Sequence, residues 1–265
     1  MTKMFLTLIF LTGWFLQTDA QSEGGWRALF SGRNLNGWET YVGPLEKGGN
    51  PLGINKDPMR IFSVVQEDGQ AAIRISGEIN ASLATRNAYG NYHLHLEFKW
   101  GKLVFSQRNS GLLYHSYGPF GAALNVWMNS HELQMKHGNL GDLYCMGDTY
   151  SEIPAMQDGN QYTYQAGEAR IAFGSENTPK ICAKSADYEQ PLGEWNTIDL
   201  YCFGGTSVHV INGKVNMVSY NSRKWVDQAW LPLVKGKIQL QSEGGELFIR
   251  NIKIKRIKEL PSDFQ

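Results

Sequence analysis

Three short stretches of this chain set carboxylate, amide, amine and imidazole groups at every second position. In 92–100, His93, His95, Glu97 and Lys99 alternate with Leu94, Leu96, Phe98 and Trp100. In 131–137, Glu132, Gln134 and Lys136 alternate with Leu133 and Met135. In 237–243, Lys237, Gln239, Gln241 and Glu243 alternate with Ile238, Leu240 and Ser242. A period of two is that of a β-strand, whose successive side chains point to opposite faces. If the three strands share a sheet, their polar rows merge into a groove able to hold a hydroxyl-rich ligand. The plainer alternative is an ordinary solvated sheet face. Glu132 stands out: it follows the turn-like Met128-Asn129-Ser130 and is flanked by His131 and Gln134. A carboxylate held among such neighbours can serve as a general base, or it is simply a solvated glutamate at a strand start.

Several other chemistries fail on spacing. His131-Glu132 with His137 is not a zinc-peptidase motif, which needs histidines four apart on a helix. His93 and His95, two apart on one face, could share a divalent cation with Glu97; otherwise they are two exposed histidines, and no cofactor is expected. Retaining jelly-roll glycosidases carry Glu-x-Asp-x-x-Glu, and here Gln134 stands where the second carboxylate would. Retention needs two carboxyls about 5–5.5 Å apart, so it is disfavoured from this strand. An inverting enzyme needs its second carboxylate about 6.5–9.5 Å away, and Glu97 or Asp142 could supply it. There is no Gly-x-Ser-x-Gly elbow and no phosphate-binding glycine loop.

The elements that must position these residues read as strands throughout. Runs at Arg60–Gln66, Ala71–Ser76, Tyr92–Trp100, Gly111–His115, Leu133–Lys136, Arg170–Phe173, Asn196–Phe203, Ser207–Ile211, Lys214–Tyr220, Lys237–Ser242 and Glu246–Lys255 are separated by Gly, Asn, Asp and Pro. No stretch sustains a helical period. Such a series predicts an all-β sandwich or barrel. Asn212-Gly213 and Glu243-Gly244-Gly245 read as hairpin turns, and Trp26 to Trp38 as a further hairpin. Two long connections, Gly43–Pro58 and Gly174–Gly193, have the length of functional or disordered loops.

Residues 1–20 read as a secretory signal: Lys3, an apolar run from Met4 to Leu16, and Thr18-Asp19-Ala20 before a cut at Gln21. The run, roughly 13 residues against the ~20 a span needs, is too short to cross a bilayer. No cysteine opens the mature chain, and no later segment is long and apolar enough to span. The expectation is an exported protein, periplasmic or extracellular, with residues 21–265 forming one domain. Lys plus Arg and Asp plus Glu are both 25, giving zero net charge. With no basic stripe, nucleic acid and anionic membranes are excluded as partners. Eight Trp and twelve Tyr suit a large core and the stacking of sugars. Cys145, Cys182 and Cys202 lack zinc-site spacing and allow either one disulfide plus a thiol or three buried thiols.

An ordered series of segments resembles the bacterial 3-keto-disaccharide hydrolase family. The series runs from Leu29-Phe30-Ser31-Gly32 through Gly37-Trp38 and Leu83-Ala84-Thr85 to Tyr92–Lys99 and Asn109-Ser110-Gly111-Leu112. It continues with Glu132-Leu133-Gln134, Gly193-Glu194-Trp195-Asn196, His209 to Gly213, Lys237–Gln241 and Phe248–Ile254. The resemblance implies a concanavalin A-like jelly-roll sandwich of two antiparallel sheets, acting on 3-keto-glycosides. The chain departs from the family after Gln134, where Asp142 and Tyr144 are candidates for displaced roles, and Phe120–Asn129 looks inserted. A C3 ketone acidifies the C2 proton, so one base, an enolate partner and a proton for the leaving oxygen suffice. On this reading Glu132 is the base and Lys136 or His115 the enolate or leaving-group partner. Asn109, Gln134, Gln239 and Gln241, with Glu97 and Trp38, bind the sugar. The alternative is a non-catalytic carbohydrate-binding module of the same fold.

Overall fold

The computed structural model describes residues 25–46 and 48–264; the signal read at 1–20 lies outside them. The described chain is a sandwich of two sheets whose strand pairings are antiparallel, and helix is confined to 3-10 turns such as Ser262–Phe264. The eight-stranded sheet runs, in spatial order, Ile181–Cys182, Leu143–Met146, Asn129–Gln134, Gly111–Tyr117, Lys237–Ser242, Ala81–Thr85, Trp38–Val42, Gly53–Ile54. At the centre of the facing twelve-stranded sheet lie Asn196–Phe203, Tyr92–Val104 and Gly245–Arg256.

The alternation in the sequence is the reason these layers pack. Leu112, Leu133, Ile238 and Leu240 from one sheet meet Leu94, Leu96, Phe98 and Ile249 from the other in one buried core. Each strand therefore turns its polar row outward, away from the partner sheet.

Asn212-Gly213 does close a hairpin, between Thr206–Ile211 and Lys214–Val226, with both residues at positive φ (48° and 77°) as a type I′ turn requires. The other two hairpin readings are corrected. Arg27–Ala28 pairs with Gly245–Arg256 while Trp38–Val42 pairs with Ala81–Thr85, so the Trp26–Trp38 segment joins different sheets. Glu243-Gly244-Gly245 likewise carries the chain from one sheet to the other. Gly244 has φ +98°, and any Cβ there would strike Ser106 and Gln107. This crossover is thus pinned to the loop leading into Gly111–Tyr117. Thr149–Asp158, not foreseen as a strand, extends the twelve-stranded sheet against Lys214–Val226.

Candidate active site on the outer face of the eight-stranded sheet

Asn129–Gln134 lies between Gly111–Tyr117 and Leu143–Met146, and Glu132 stands opposite Leu113 on one side and Tyr144 on the other. Leu133 enters the core, and His131 bonds to Ser222 Oγ of the facing sheet at 2.8 Å. Glu132 and Gln134 therefore point outward. Across Gly111–Tyr117, Lys237–Ser242 directs Ile238 and Leu240 inward and Gln239 and Gln241 to the same outer face as Glu132. Gly111 makes the meeting possible. A Cβ at that position would collide with both Glu132 Oε1 and Gln241 Oε1, so the missing side chain is the space these two oxygens occupy.

The segment between the Gly111–Tyr117 and Asn129–Gln134 strands folds back over this face. Ala123, Val126 and Trp127 pack on Leu113 and Met146 as a small apolar cluster. Gln239 supports that cover from beneath: its Oε1 accepts from Ser82 Oγ (2.8 Å) and the Met128 amide (3.3 Å), and its Nε2 donates to Ser116 Oγ (2.7 Å). Glu132 is only 1% exposed.

Most buried polar groups in proteins are paired, so unpaired ones ask for a partner. Five of the ten such atoms among the described residues belong to Asn109, Glu132, Gln134 and Gln241, close to Gly111 in the sheet or the chain. Glu132 Oε1, Gln134 Oε1, Asn109 Oδ1 and both polar atoms of the Gln241 side chain are buried without a hydrogen-bond partner. Four acceptor oxygens and one amide donor suit a ligand that offers mainly hydroxyl donors.

Electrostatics sharpen the site. Burial, followed by the nearby charge of Glu243, pushes the Glu132 carboxyl well above its ordinary range and so favours its protonated form. Burial also raises Glu243, to about 7, against the opposing pull of the Lys136 ammonium. Burial and the charges of Glu132 and Glu243 raise the Tyr144 hydroxyl. Two carboxyls, both raised by burial and one of them titrating near neutrality, thus adjoin one phenol and one ammonium. Such a pair can give a proton at one point and take one at another.

Glu132, Gln134, Gln241, Asn109 and Lys136 are thereby gathered, while other expectations are corrected. Glu97 belongs to the twelve-stranded sheet, where it accepts from Arg250 Nε (2.7 Å) and Asn251 Nδ2 (2.6 Å) on the far side of the molecule. His93 and His95 are on that sheet too, and both bond to Asp199 Oδ1, at 2.6 and 2.9 Å, rather than converging with Glu97. Among the described residues no group of three or more His, Cys, Asp or Glu is arranged to hold an ion. Trp38 is core, with its Nε1 donating to the Leu29 carbonyl at 2.7 Å. His115 sits at a bulge with φ +51° and packs edge-on against Tyr92 and Tyr114 inside the sandwich. Burial lowers its pKa to about 4. Gln239 reaches the right face but has spent its hydrogen bonds on structure. Asp142, the other carboxylate considered, caps the Lys184 amide at 2.9 Å. All three cysteines are free and buried.

Glu243 was visible as the next member of the Gln239, Gln241 row. Its assignment to a hairpin turn hid that it stays on the groove side as the chain crosses sheets.

Residues 25–255 match the 3-keto-alpha-glucoside-1,2-lyase-like domain. Two solved structures of candidate glycosyl hydrolases from Parabacteroides distasonis align with 88% of this chain. One is 20% identical over 94% of its own length with a TM-score of 0.48, the other 18% identical over 99% with 0.49. A carbohydrate-binding module from Bacillus subtilis aligns at 7% identity over 73% of this chain and 91% of its own, with a TM-score of 0.40. No curated protein matches.

Proposed function

The chain belongs to the 3-keto-alpha-glucoside-1,2-lyase-like family, and from that premise we propose that it cleaves the glycosidic bond of 3-keto-glycosides by elimination. The observation that carries the reading is the cluster of buried, unpartnered polar atoms around Gly111, with a desolvated carboxyl at its centre. A surface that only bound sugar would gain nothing from keeping Glu132 buried and unpaired, at a cost of the kind any buried polar group bears.

The C3 ketone makes the C2 proton acidic. Glu243, ionised in part at neutral pH, takes that proton, and the C2–H electron pair becomes the double bond of a C2–C3 enolate. The enolate then reforms the C3 carbonyl and the C1–O bond breaks. The departing oxygen keeps that bond's electron pair and takes its proton from the Glu132 carboxyl. The product is an enone with a C1–C2 double bond, and proton exchange with solvent resets the two glutamates. Water adding at C1, with a proton returning to C2, makes the net reaction a hydrolysis. Lys136 favours the ionised form of Glu243 and is the cation available to the enolate oxygen. Asn109, Gln134 and Gln241 accept from, or donate to, the sugar hydroxyls. The base role expected of Glu132 thus passes in this reading to Glu243, because burial favours the protonated form of Glu132 while Glu243 titrates near neutrality. Export of the chain, read from residues 1–20, would place this chemistry outside the cytoplasm, and N-terminal sequencing of the secreted protein tests it.

The deciding experiment incubates purified protein with a 3-keto-glucoside and with its unoxidised parent in deuterated water, followed by proton NMR. Loss of the C2 proton signal and release of the aglycone from the keto sugar alone supports elimination. Equal cleavage of both sugars rejects it. Binding of both without turnover returns the chain to a non-catalytic carbohydrate-binding module.

A further inference from the structure

A second cleft, of about 410 Å³, lies where the Gly174–Lys180 part of the long loop faces the tip of the Lys214–Val226 and Ala229–Pro232 hairpin. Trp225 and Trp230 form one wall; Ser175, Glu176, Asn177 and Lys180 form the other, with Asp148 between. We propose that this cleft is an accessory sugar-binding site for a neutral pyranose ring, separate from the Glu132 site.

The aromatic wall is built rather than incidental. Trp225 and Trp230 are directly opposed across the hairpin, with ring centroids 5.3 Å apart, and Tyr150 backs Trp230 at 5.5 Å. The hairpin tip is fixed by Asp227 and Gln228, both at positive φ (50° and 63°). Trp225 nonetheless remains 41% exposed. A packed tryptophan pair left open beside polar groups is a feature of binding surfaces rather than of plain exterior.

The polar wall is equally fixed. Gly174, at φ +98°, is pressed so closely on the Thr149 carbonyl and Cys145 that no side chain fits there. Its amide donates to the Pro179 carbonyl at 2.8 Å, and the Ser175 amide donates to Thr178 Oγ1 at 2.9 Å. Two rigid walls lose little entropy on binding. An apolar ring face opposite carboxylate, amide, hydroxyl and ammonium groups matches a pyranose, which has apolar C–H faces and hydroxyls around its rim. The charges on the polar wall and Asp148 are mixed in sign, which suits a neutral sugar better than a charged one.

The cleft is tied to the outer face of the eight-stranded sheet. The Asp148 amide donates to Asn129 Oδ1 at 3.3 Å, and Asn129 opens the strand that carries Glu132 three residues on. At about 3.4 Å per strand residue that is about 10 Å along the strand. Two sites so placed could hold parts of one oligosaccharide.

The test needs no keto sugar, so it stands or falls apart from the elimination reading. Maltotetraose, and separately cellotetraose, is titrated into the protein, following tryptophan fluorescence and isothermal heat. Saturable binding is expected with one of these probes. It should survive Gln241→Ala and weaken at least about 10-fold in Trp225→Ala and in Trp230→Ala, the scale of losing one aromatic contact. Melting temperatures of the variants check folding. Three outcomes overturn the proposal: no saturation with either probe, binding lost in Gln241→Ala but kept in Trp225→Ala, or concentration-dependent dimerisation that Trp225→Ala abolishes without any sugar binding.

Discussion

Glu132 Oε1 and Gln241 Oε1, from strands on either side of Gly111–Tyr117, reach into the same space above Gly111. Neither oxygen has a hydrogen-bond partner. Gly111→Ala tests what that space is for. Gly111 has no positive φ, so alanine fits its backbone, and the new methyl meets only the ends of the Glu132 and Gln241 side chains, not backbone. The fold should survive, with a melting temperature within a few degrees of wild type. Turnover of a 3-keto-glucoside should fall about 10²-fold, the scale expected when reacting groups shift by about 1 Å. Unchanged kcat/KM would show that the placement of Glu132 and Gln241 over Gly111 does not matter for turnover.

Glu132→Gln separates chemistry from structure. An amide keeps the shape of the protonated acid but cannot transfer a proton, so kcat should drop by about 10²-fold or more. Stability should move the other way. The folded-state pKa of Glu132 is raised, so the native protein holds a proton that the unfolded chain releases above about 4.5. Its contribution to wild-type stability therefore declines as pH rises above that value. Glu132→Gln removes the decline, and its advantage in urea midpoint over wild type should grow from acid to alkaline pH. A variant less stable than wild type at alkaline pH would mean that Glu132 is charged and paired in the native state.

Alternation along the chain was enough to give the inward and outward faces of each strand, and it correctly grouped Gln134 and Gln241 with Glu132. It could not say which sheet a strand joins. Glu97 alternates as regularly as Glu132 yet lies on the opposite side, because its strand pairs with Asn196–Phe203 and Gly245–Arg256. The bulge at His115 reverses the facing that a regular strand would give, and nothing in Tyr114-His115-Ser116 announces it. Trp38 carries the residue type of a sugar platform and the burial of a core anchor, a difference set by long-range packing. Gly111 could not be singled out, since its importance depends on two side chains more than 20 and 120 residues away in sequence.

Lys136→Ala should change the pH profile more than the fold. The Lys136 charge lowers the Glu243 pKa, which burial has raised to about 7. If Glu243 must be ionised to take the C2 proton, kcat/KM falls on the acid side of about pH 7, and removing Lys136 moves that limb to higher pH. Glu243→Gln should remove the limb together with most of the activity. Conservative Lys136→Arg should restore the limb toward its wild-type position. An acid limb unmoved in Lys136→Ala would assign it to some other group and leave Glu243 without a role as base.

Three imidazoles buried around Tyr114 should make the fold acid-sensitive. His115, His131 and His209 have ring centroids 5.5–5.6 Å from Tyr114, and burial lowers their pKa values to about 4, 3 and 4. Each is neutral in the native state, while in the unfolded chain it takes a proton below about pH 6.5. As pH falls from there toward the folded value, the unfolded state binds more protons. Stability is then lost at about 1.4 kcal/mol per pH unit for each histidine. Glu132 and Glu243 slope the other way above about 4.5, so the net effect is best read as a difference between variants. His115→Phe removes one imidazole and keeps an aromatic ring against Tyr92. Between about pH 7 and about pH 5 its urea midpoint should fall less than that of wild type. Identical falls in His115→Phe and wild type would show that His115 is protonated in the native state, and that the interior is wetter than its packing implies.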